Sequence, residues 1–118
     1  MLKVLLVDDE KDICLLLSGI LEKEGFKTTY ALNMEDAKNK LAADQYGAAF
    51  IDLNLPDGVG SQLIPIIKDI NNETKVIIIS AYDQGLSKAS SAGADYLIKK
   101  PFSRSVVLSA LNDLHLNN

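Results

Sequence analysis

The sequence has little of what would place it in several large classes of protein. It contains one cysteine, one histidine, three prolines and no tryptophan in 118 residues. One cysteine cannot form an internal disulfide, which indicates a reducing compartment. No apolar run approaches the roughly 20 residues that span a bilayer. The first residues also turn acidic too early for a signal peptide. We therefore predict a cytoplasmic protein that does not bind a membrane.

A basic surface is missing as well. Lysine and arginine number 12 against 16 aspartate and glutamate residues, and the formal net charge is -4. This balance lacks the positive footprint of nucleic-acid-binding domains, so we expect no direct nucleic acid binding. Hydrophobic residues form 47% of the chain, which suits one compact core, and no repeat or linker interrupts it. The prediction is a single domain over residues 1–118.

What the sequence does have is a regular alternation of strand-like and helix-like segments. Continuous apolar runs predict strands covered on both faces. The predicted strands are residues 2–7, 28–31, 48–51, 75–79 and 94–99. Between and after them, apolar residues recur at helical spacing, with Asn33 and Ser103 as predicted N-caps and Gly25 as a C-cap. The segment 84–93 has few large apolar residues and is predicted to be the least stable helix.

The first helix shows the clearest one-sided pattern. Its apolar face is predicted to hold Ile13, Leu16, Leu17, Ile20 and Leu21. Cys14 falls within this apolar pattern, which predicts a buried and unreactive thiol. Five strand–helix units imply an α/β fold with a parallel sheet. The order 2-1-3-4-5 is taken from doubly wound, flavodoxin-like (βα)5 folds with this alternation and not from the residues themselves.

Polar side chains follow four of the five predicted strands. Asp8 and Asp9 follow the first strand, Asp52 the third, Ser80 the fourth and Lys100 the fifth. Because the carboxyl ends of parallel strands share one edge, where such folds bind ligands, we expect these side chains to converge. Each alone would be an ordinary turn, cap or surface residue. Their coincidence at one edge favours a functional site.

The chemistry of this set suggests phosphoryl transfer. Carboxylates that crowd one pocket repel each other, and a hard divalent cation such as Mg²⁺ relieves the repulsion. A carboxylate can attack phosphorus and form an acyl phosphate. Lys100 would supply a positive charge to the transferring group, and Ser80 a hydrogen-bond donor. The sequence therefore predicts a Mg²⁺ site beside a nucleophilic Asp52.

Over essentially its whole length the chain resembles the receiver (response regulator) domain of two-component signalling systems. The motifs that carry the resemblance are highly specific as a set. They are Val4–Glu10 (VLLVDDE), Phe50–Gly58 (FIDLNLPDG), Ile78–Ala81 (IISA), Ala92–Asp95 (AGAD) and Lys100–Phe102 (KPF).

The resemblance implies a phosphoacceptor signalling module that is not a turnover enzyme and catalyses only its own phosphorylation and dephosphorylation. Asp52 would accept the phosphoryl group from a phosphohistidine of a sensor histidine kinase or a histidine phosphotransfer protein. Mg²⁺ would be bound by Asp9, Asp52 and the backbone carbonyl of Asn54, with Asp8 acting through water. Phosphorylation would then alter an output surface formed by the fourth helix, the fifth strand and the fifth helix, for an unidentified partner or fused effector domain.

The resemblance also assigns the residues that would respond to the phosphoryl group. Lys100 would contact it, Ser80 would move towards it, and the Lys100–Pro101 peptide bond would be cis. An aromatic residue usually stands three positions before the lysine, but this chain has Leu97 there and Tyr96 beside it. The common strand register would place Leu97 at this switch position, whereas a one-residue bulge would place Tyr96 there.

Two other functions fit parts of the pattern. A phosphatase of the haloacid-dehalogenase type also uses an aspartyl phosphate, but it places a second Asp two residues after the nucleophile, where this chain has Asn54. A flavodoxin-like flavin or nucleotide carrier would need a phosphate-binding loop after the first strand. Here that loop begins Asp8-Asp9-Glu10, and acidic residues repel phosphate unless a metal intervenes.

Overall fold

The computed structural model describes residues 2–81, 87–90 and 92–116. Strands and helices alternate along the chain, and a short hairpin follows the third strand. The strands are β1 (Lys3–Val7), β2 (Lys27–Ala31), β3 (Ala48–Asp52), β4 (Asn54–Leu55), β5 (Gly58–Val59), β6 (Lys75–Ser80) and β7 (Tyr96–Lys99). The helices are α1 (Lys11–Lys23), α2 (Met34–Ala43), α3 (Leu63–Ile70), α4, of which residues 87–90 are described, and α5 (Arg104–Asp113).

Five of these strands form one parallel sheet in the order β2-β1-β3-β6-β7. Strands β4 and β5 form a separate antiparallel pair. Counted along the chain without that hairpin, the sheet order is 2-1-3-4-5, which confirms the predicted flavodoxin-like α/β fold. This order sets β1 and β3 side by side and sets β6 between β3 and β7, so the four strand ends with polar side chains are neighbours.

The sheet is covered on both faces, which explains why its strands are apolar at consecutive positions. Consecutive residues of one strand enter different cores, as Phe50 and Ile51 of β3 do. One core packs against α2, α3 and Ala89 of α4, and the other against α1 and α5.

Local sequence signals define several helix ends as predicted. The Asn33 side chain accepts a hydrogen bond from the Asp36 N–H at 2.8 Å and caps α2. The Ser103 hydroxyl accepts one from the Val106 N–H at 3.4 Å and caps α5. Gly25 follows α1 with a φ of 90°, in the left-handed region that glycine enters most easily.

Two expectations from the sequence need correction or restriction. Leu16 belongs to the predicted buried face of α1, but it is 50% exposed, and the face turned to the core includes Cys14 instead. The buried face of α1 is rotated relative to the predicted one. Cys14, Leu17 and Leu21 recur at three- and four-residue spacing towards the sheet, and Leu16 lies outside that stripe. Of the predicted helix 84–93, residues 84–86 and 91 lie outside the described residues. Among the described residues, no helix has the length and apolar character needed to cross a membrane.

Candidate functional site

The candidate site lies at the carboxyl edge of the parallel sheet. Asp8 and Asp9 follow β1, Asp52 is the last residue of β3, and Ser80 is the last residue of β6. Asp52 pairs with Ile79 in the sheet register, so Ser80 lies one position beyond that pair. Ser80 pairs with Lys99, which immediately precedes Lys100. The fold thus places all five predicted side chains on one group of neighbouring strand ends.

Three carboxylates form the centre of this site. Asp8, Asp9 and Asp52 each offer an oxygen within 4.8 Å of the others. Asp8 and Asp52 are buried, with 1% and 5% of their surface exposed, whereas Asp9 is exposed. The pocket therefore has a buried side, formed by Asp8 and Asp52, and a solvent-exposed side, formed by Asp9.

Lys100 lies against both buried acids. Its Nζ is 3.0 Å from Asp8 Oδ2 and donates a hydrogen bond to Asp52 Oδ2 at 3.1 Å. The Lys100 side chain is 17% exposed, so the ammonium group is itself partly removed from water. One positive charge is thus shared between two buried negative charges, and the local balance stays negative.

The pKa directions follow from this imbalance. Burial, and then the charge of Asp8, raise the pKa of Asp52, and this outweighs the hydrogen bonds from the Asn54 N–H and Lys100. Burial alone would lower the pKa of Lys100, but its contacts with Asp8 and Asp52 raise it overall. Two carboxylates stabilise the charged form of Lys100, whereas Asp52 shares this single ammonium group with Asp8. The site therefore favours additional positive charge.

The residues fit a hard divalent cation. Asp8 Oδ1 accepts a hydrogen bond from the Glu10 N–H at 2.9 Å. Asp8 Oδ2 is buried and forms no hydrogen bond of good geometry among the described residues, although it lies in ionic contact with Lys100. A buried carboxylate oxygen with spare accepting capacity, beside two further carboxylates, is the kind of donor set that Mg²⁺ binds with retained waters.

The loop after Asp52 folds back over the strand end. The Asn54 N–H donates to Asp52 Oδ1 at 3.2 Å, and the Gly60 N–H donates to the Leu53 carbonyl at 2.8 Å. Gly60 comes so close to β3 that a Cβ there would lie 2.1 Å from the Asp52 carbonyl oxygen. Only a residue without a side chain permits this approach. The Asn54 side of the hairpin is thereby held beside the Asp52 carboxylate.

The strand register shows on which faces of the sheet residues 96 and 97 lie. Pairing between β6 and β7 is continuous, from Ile77 with Tyr96 to Ser80 with Lys99, and contains no bulge. Leu97 packs against the core that contains Ala89 of α4, whereas Tyr96 packs against the opposite core, and its hydroxyl donates to Asp113 of α5 at 3.1 Å. Leu97 therefore occupies the position three residues before Lys100 on the α4 side of the sheet. The Lys100–Pro101 peptide bond is cis.

Two further residues are connected to the site in ways that the sequence alone does not reveal. The Cys14 thiol donates to the Asp8 carbonyl at 3.4 Å, and burial, followed by the charge of Asp8, raises its pKa to about 11. This agrees with the predicted buried thiol. Asp57 accepts hydrogen bonds from the start of α2, 23 and 22 residues earlier in the chain. A Pro-Asp-Gly stretch predicts only a turn, so this long-range contact carries no local signal.

Fold and site together define the class of protein: a doubly wound α/β domain with an acidic pocket at its carboxyl edge. The model of the response regulator receiver domain family matches residues 4–112. The chain belongs to this family, and its members are signalling modules of two-component systems.

Curated relatives agree with this assignment. The chain is 34% identical to the response regulator protein PilR of Pseudomonas aeruginosa over 82% of its length, and 36% identical to the nitrogen assimilation regulatory protein NtrX of Azorhizobium caulinodans over 96%. It is 30% identical to the swarming motility regulation protein RssB of Serratia marcescens over 92% of its length. The chain spans only 22%, 27% and 50% of PilR, NtrX and RssB, respectively.

Solved structures show the same fold. The BeF3-activated receiver domain of DrrB, a Thermotoga maritima protein, is 29% identical with a TM-score of 0.89, and the match covers 98% of this chain and 97% of that one. The response regulator TrrA of Thermotoga maritima, in complex with Mg(2+)-BeF, is 30% identical with a TM-score of 0.86. That match covers 97% of this chain and 99% of TrrA.

Proposed function

We propose that residues 1–118 act as a single receiver domain whose Asp52 accepts a phosphoryl group in a Mg²⁺-dependent reaction. The observation that carries the proposal is the excess of negative charge at the carboxyl edge, where Asp8, Asp9 and Asp52 gather around the one ammonium group of Lys100. The structure of TrrA in complex with Mg(2+)-BeF, a protein of the same fold, supports a role for Mg²⁺. The donor would be a phosphohistidine of a sensor histidine kinase or a histidine phosphotransfer protein.

The residues of the pocket have separate tasks in this proposal. Asp9, Asp52 and the Asn54 carbonyl would hold Mg²⁺, and Asp8 would act through water. When bound, Mg²⁺ would neutralise charge on the phosphoryl oxygens. An Asp52 oxygen attacks phosphorus, the bond from phosphorus to the donor nitrogen breaks, and the imidazole leaves with that electron pair. Lys100 is already within hydrogen-bond distance of Asp52 and can follow the phosphoryl group.

Release of Lys100 and recruitment of Ser80 would carry the change away from the pocket. Ser80 is buried, stands at the end of β6 and pairs with Lys99 of β7. Movement of Ser80 or Lys100 would therefore alter the β6–β7 edge that borders α4. We propose α4, β7 and α5 as the output surface for a partner or fused effector domain, with Leu97 in place of the usual aromatic switch residue.

Incubation with acetyl phosphate and Mg²⁺ tests the proposal. Intact-mass spectrometry should show one acid-labile phosphoryl group, and peptide mapping after borohydride trapping should place it on Asp52. Asp52→Asn and chelator should each abolish the label, whereas Asp95→Asn, a matched change of a carboxylate at the opposite edge, should leave it. Continuous hydrolysis of a phosphomonoester, or a label that survives in Asp52→Asn, would contradict the proposal.

A further inference from the structure

The loop that follows Asp52 is attached to a distant helix by one carboxylate. Asp57 Oδ1 accepts a hydrogen bond from the Met34 N–H at 2.8 Å, and Oδ2 accepts one from the Glu35 N–H at 3.1 Å. These are N–H groups of the first turn of α2, which have no partner within the helix. Asn33 accepts from the Asp36 N–H. The start of α2 therefore has two caps, one from its own preceding residue and one from the loop.

The base of the loop is held by the buried side chains of Leu53 and Leu55 and by backbone hydrogen bonds of Leu53 with Ile79 and Gly60, whereas Pro56 and Asp57 at its tip are exposed. Its ladder joins Asn54 to Val59 and Leu55 to Gly58, and a hairpin with two residues in each strand is not stable by itself. Gly58 lies against α2 as well, because a Cβ there would be 2.3 Å from Met34 Sδ. The contacts of the hairpin tip thus point to α2, while its base carries Asn54, whose N–H contacts Asp52 Oδ1.

We propose that Asp57 is a positioning residue that, by capping α2, fixes the loop 53–59 in the shape in which Asp52 and the Asn54 carbonyl can hold a divalent cation. The inference deepens the proposed function and rests on it. Hydrogen bonding from Met34, followed by the other backbone donors, lowers the pKa of Asp57, so both oxygens are available as acceptors at neutral pH. Asp57 itself does not touch the cation.

The two caps of α2 provide a matched pair of variants. Asp57→Ala and Asn33→Ala each remove acceptors from the first turn of the same helix, and both should lower the melting temperature. Only Asp57→Ala releases the loop. In metal-free protein, hydrogen exchange of the Gly60 and Asn54 amides should accelerate in Asp57→Ala and stay at the wild-type rate in Asn33→Ala.

Calorimetric titration with Mg²⁺ provides the second measurement. Asp57→Ala should raise the dissociation constant about tenfold, as loss of an outer-shell group does, whereas Asn33→Ala should leave it within about twofold of wild type. Asp57→Asn keeps one good acceptor oxygen and should give an intermediate constant, which remains measurable if the alanine variant folds poorly.

The outcomes separate this inference from the proposed function. If wild-type protein binds no Mg²⁺, the proposed function fails, and faster exchange in metal-free Asp57→Ala still supports the attachment of the loop to α2. If the two alanine variants weaken Mg²⁺ binding equally, or if loop exchange is the same in both, then Asp57 is an ordinary helix cap and the inference is wrong.

Discussion

Two lysine–aspartate contacts stand at opposite edges of the same sheet. At the amino edge, Lys68 Nζ lies 2.7 Å from Asp95 Oδ2, and the same oxygen accepts the Val76 N–H at 2.8 Å. Lys68 also donates to the Thr74 carbonyl at 2.7 Å. At the carboxyl edge, Lys100 lies between Asp8 and Asp52. The first arrangement matches one cation to one anion, and the second leaves anions in excess.

The pKa directions express the same difference. Burial alone would raise the pKa of Asp95, but the hydrogen bonds from Lys68 and Val76 lower it overall. Burial and Asp8 raise the pKa of Asp52 despite Lys100. The amino edge is therefore arranged for stability, and the carboxyl edge keeps unrelieved charge that a bound cation can use. Variants at both edges test this comparison.

The largest effect is expected for Lys100→Met. It leaves Asp8 and Asp52 facing each other without their shared cation, and breaking such a buried pair should lower the free energy of unfolding by about 3 kcal/mol at neutral pH. Urea denaturation in chelator measures the change. The double variant Lys100→Met/Asp52→Asn should recover a large part of it, because one of the two repelling charges is gone. Equal losses in the single and double variants would contradict the repulsion.

At the other edge, Asp95→Ala removes the acceptor of both Lys68 and the Val76 N–H. With a partly buried backbone N–H and a lysine left unpaired, we expect a loss of about 2 kcal/mol of unfolding free energy. Asp95→Asn, which keeps an acceptor oxygen for Val76, should lose less. Urea denaturation measures both variants, and an Asp95→Ala variant as stable as wild type would show that the two edges do not differ in this way.

Addition of Mg²⁺ should sharpen the comparison, because of these two contacts only the one at the carboxyl edge has more carboxylates than lysines. A concentration tenfold above the dissociation constant should stabilise wild-type protein by about 1.4 kcal/mol. Asp95→Ala should gain the same increment, and Asp52→Asn much less. Thermal melts with Mg²⁺ and with chelator provide the measurement. If Mg²⁺ stabilised Asp52→Asn as much as wild type, Asp52 would not be a ligand of the cation.

In metal-free buffer, Asp52→Asn should raise the free energy of unfolding by about 1 kcal/mol, since it removes a buried charge whose repulsion by Asp8 is only partly relieved. The sign is opposite to that expected for Asp95→Ala. Denaturation in chelator shows the sign directly. A clear loss of stability would mean that Lys100 fully compensates the pocket, contrary to the raised pKa of Asp52.

The smallest effect is expected in how the stability contributions of Asp52 and Asp95 change with pH. The folded-state pKa of Asp52 is raised above the unfolded value of about 3.9, so its charge destabilises the fold at neutral pH and this penalty disappears as pH falls through the folded pKa. The gain from Asp52→Asn should therefore shrink between neutral pH and about pH 4. Asp95 has a lowered pKa, so its stabilisation is present above the unfolded value and is lost only below it. Denaturation curves at several pH values distinguish the two.

The sequence predicted those parts of the molecule that depend on local pattern. Consecutive apolar residues identified the strands, and the polar residues that end them were correctly predicted to converge in the candidate site, because parallel strands bring their carboxyl ends together. The exposure of Leu16 was missed because helical spacing alone leaves the orientation of a wide apolar stripe uncertain by one residue. The hydrogen bonds of Asp57 to α2 were missed because its partners, Met34 and Glu35, become neighbours only in the tertiary structure. The faces on which Leu97 and Tyr96 lie depend on the strand register, which two adjacent apolar residues do not specify.

The close approach of Gly60 to β3 has a consequence for how this chain can vary. An alanine at this position would set its methyl group 2.1 Å from the Asp52 carbonyl oxygen and 2.8 Å from Ile51 Cγ2. The backbone oxygen cannot move aside without disturbing Asp52, the proposed phosphoacceptor. In a saturation-mutagenesis library selected for signalling, position 60 should thus tolerate almost nothing, although it bears no chemical group of its own.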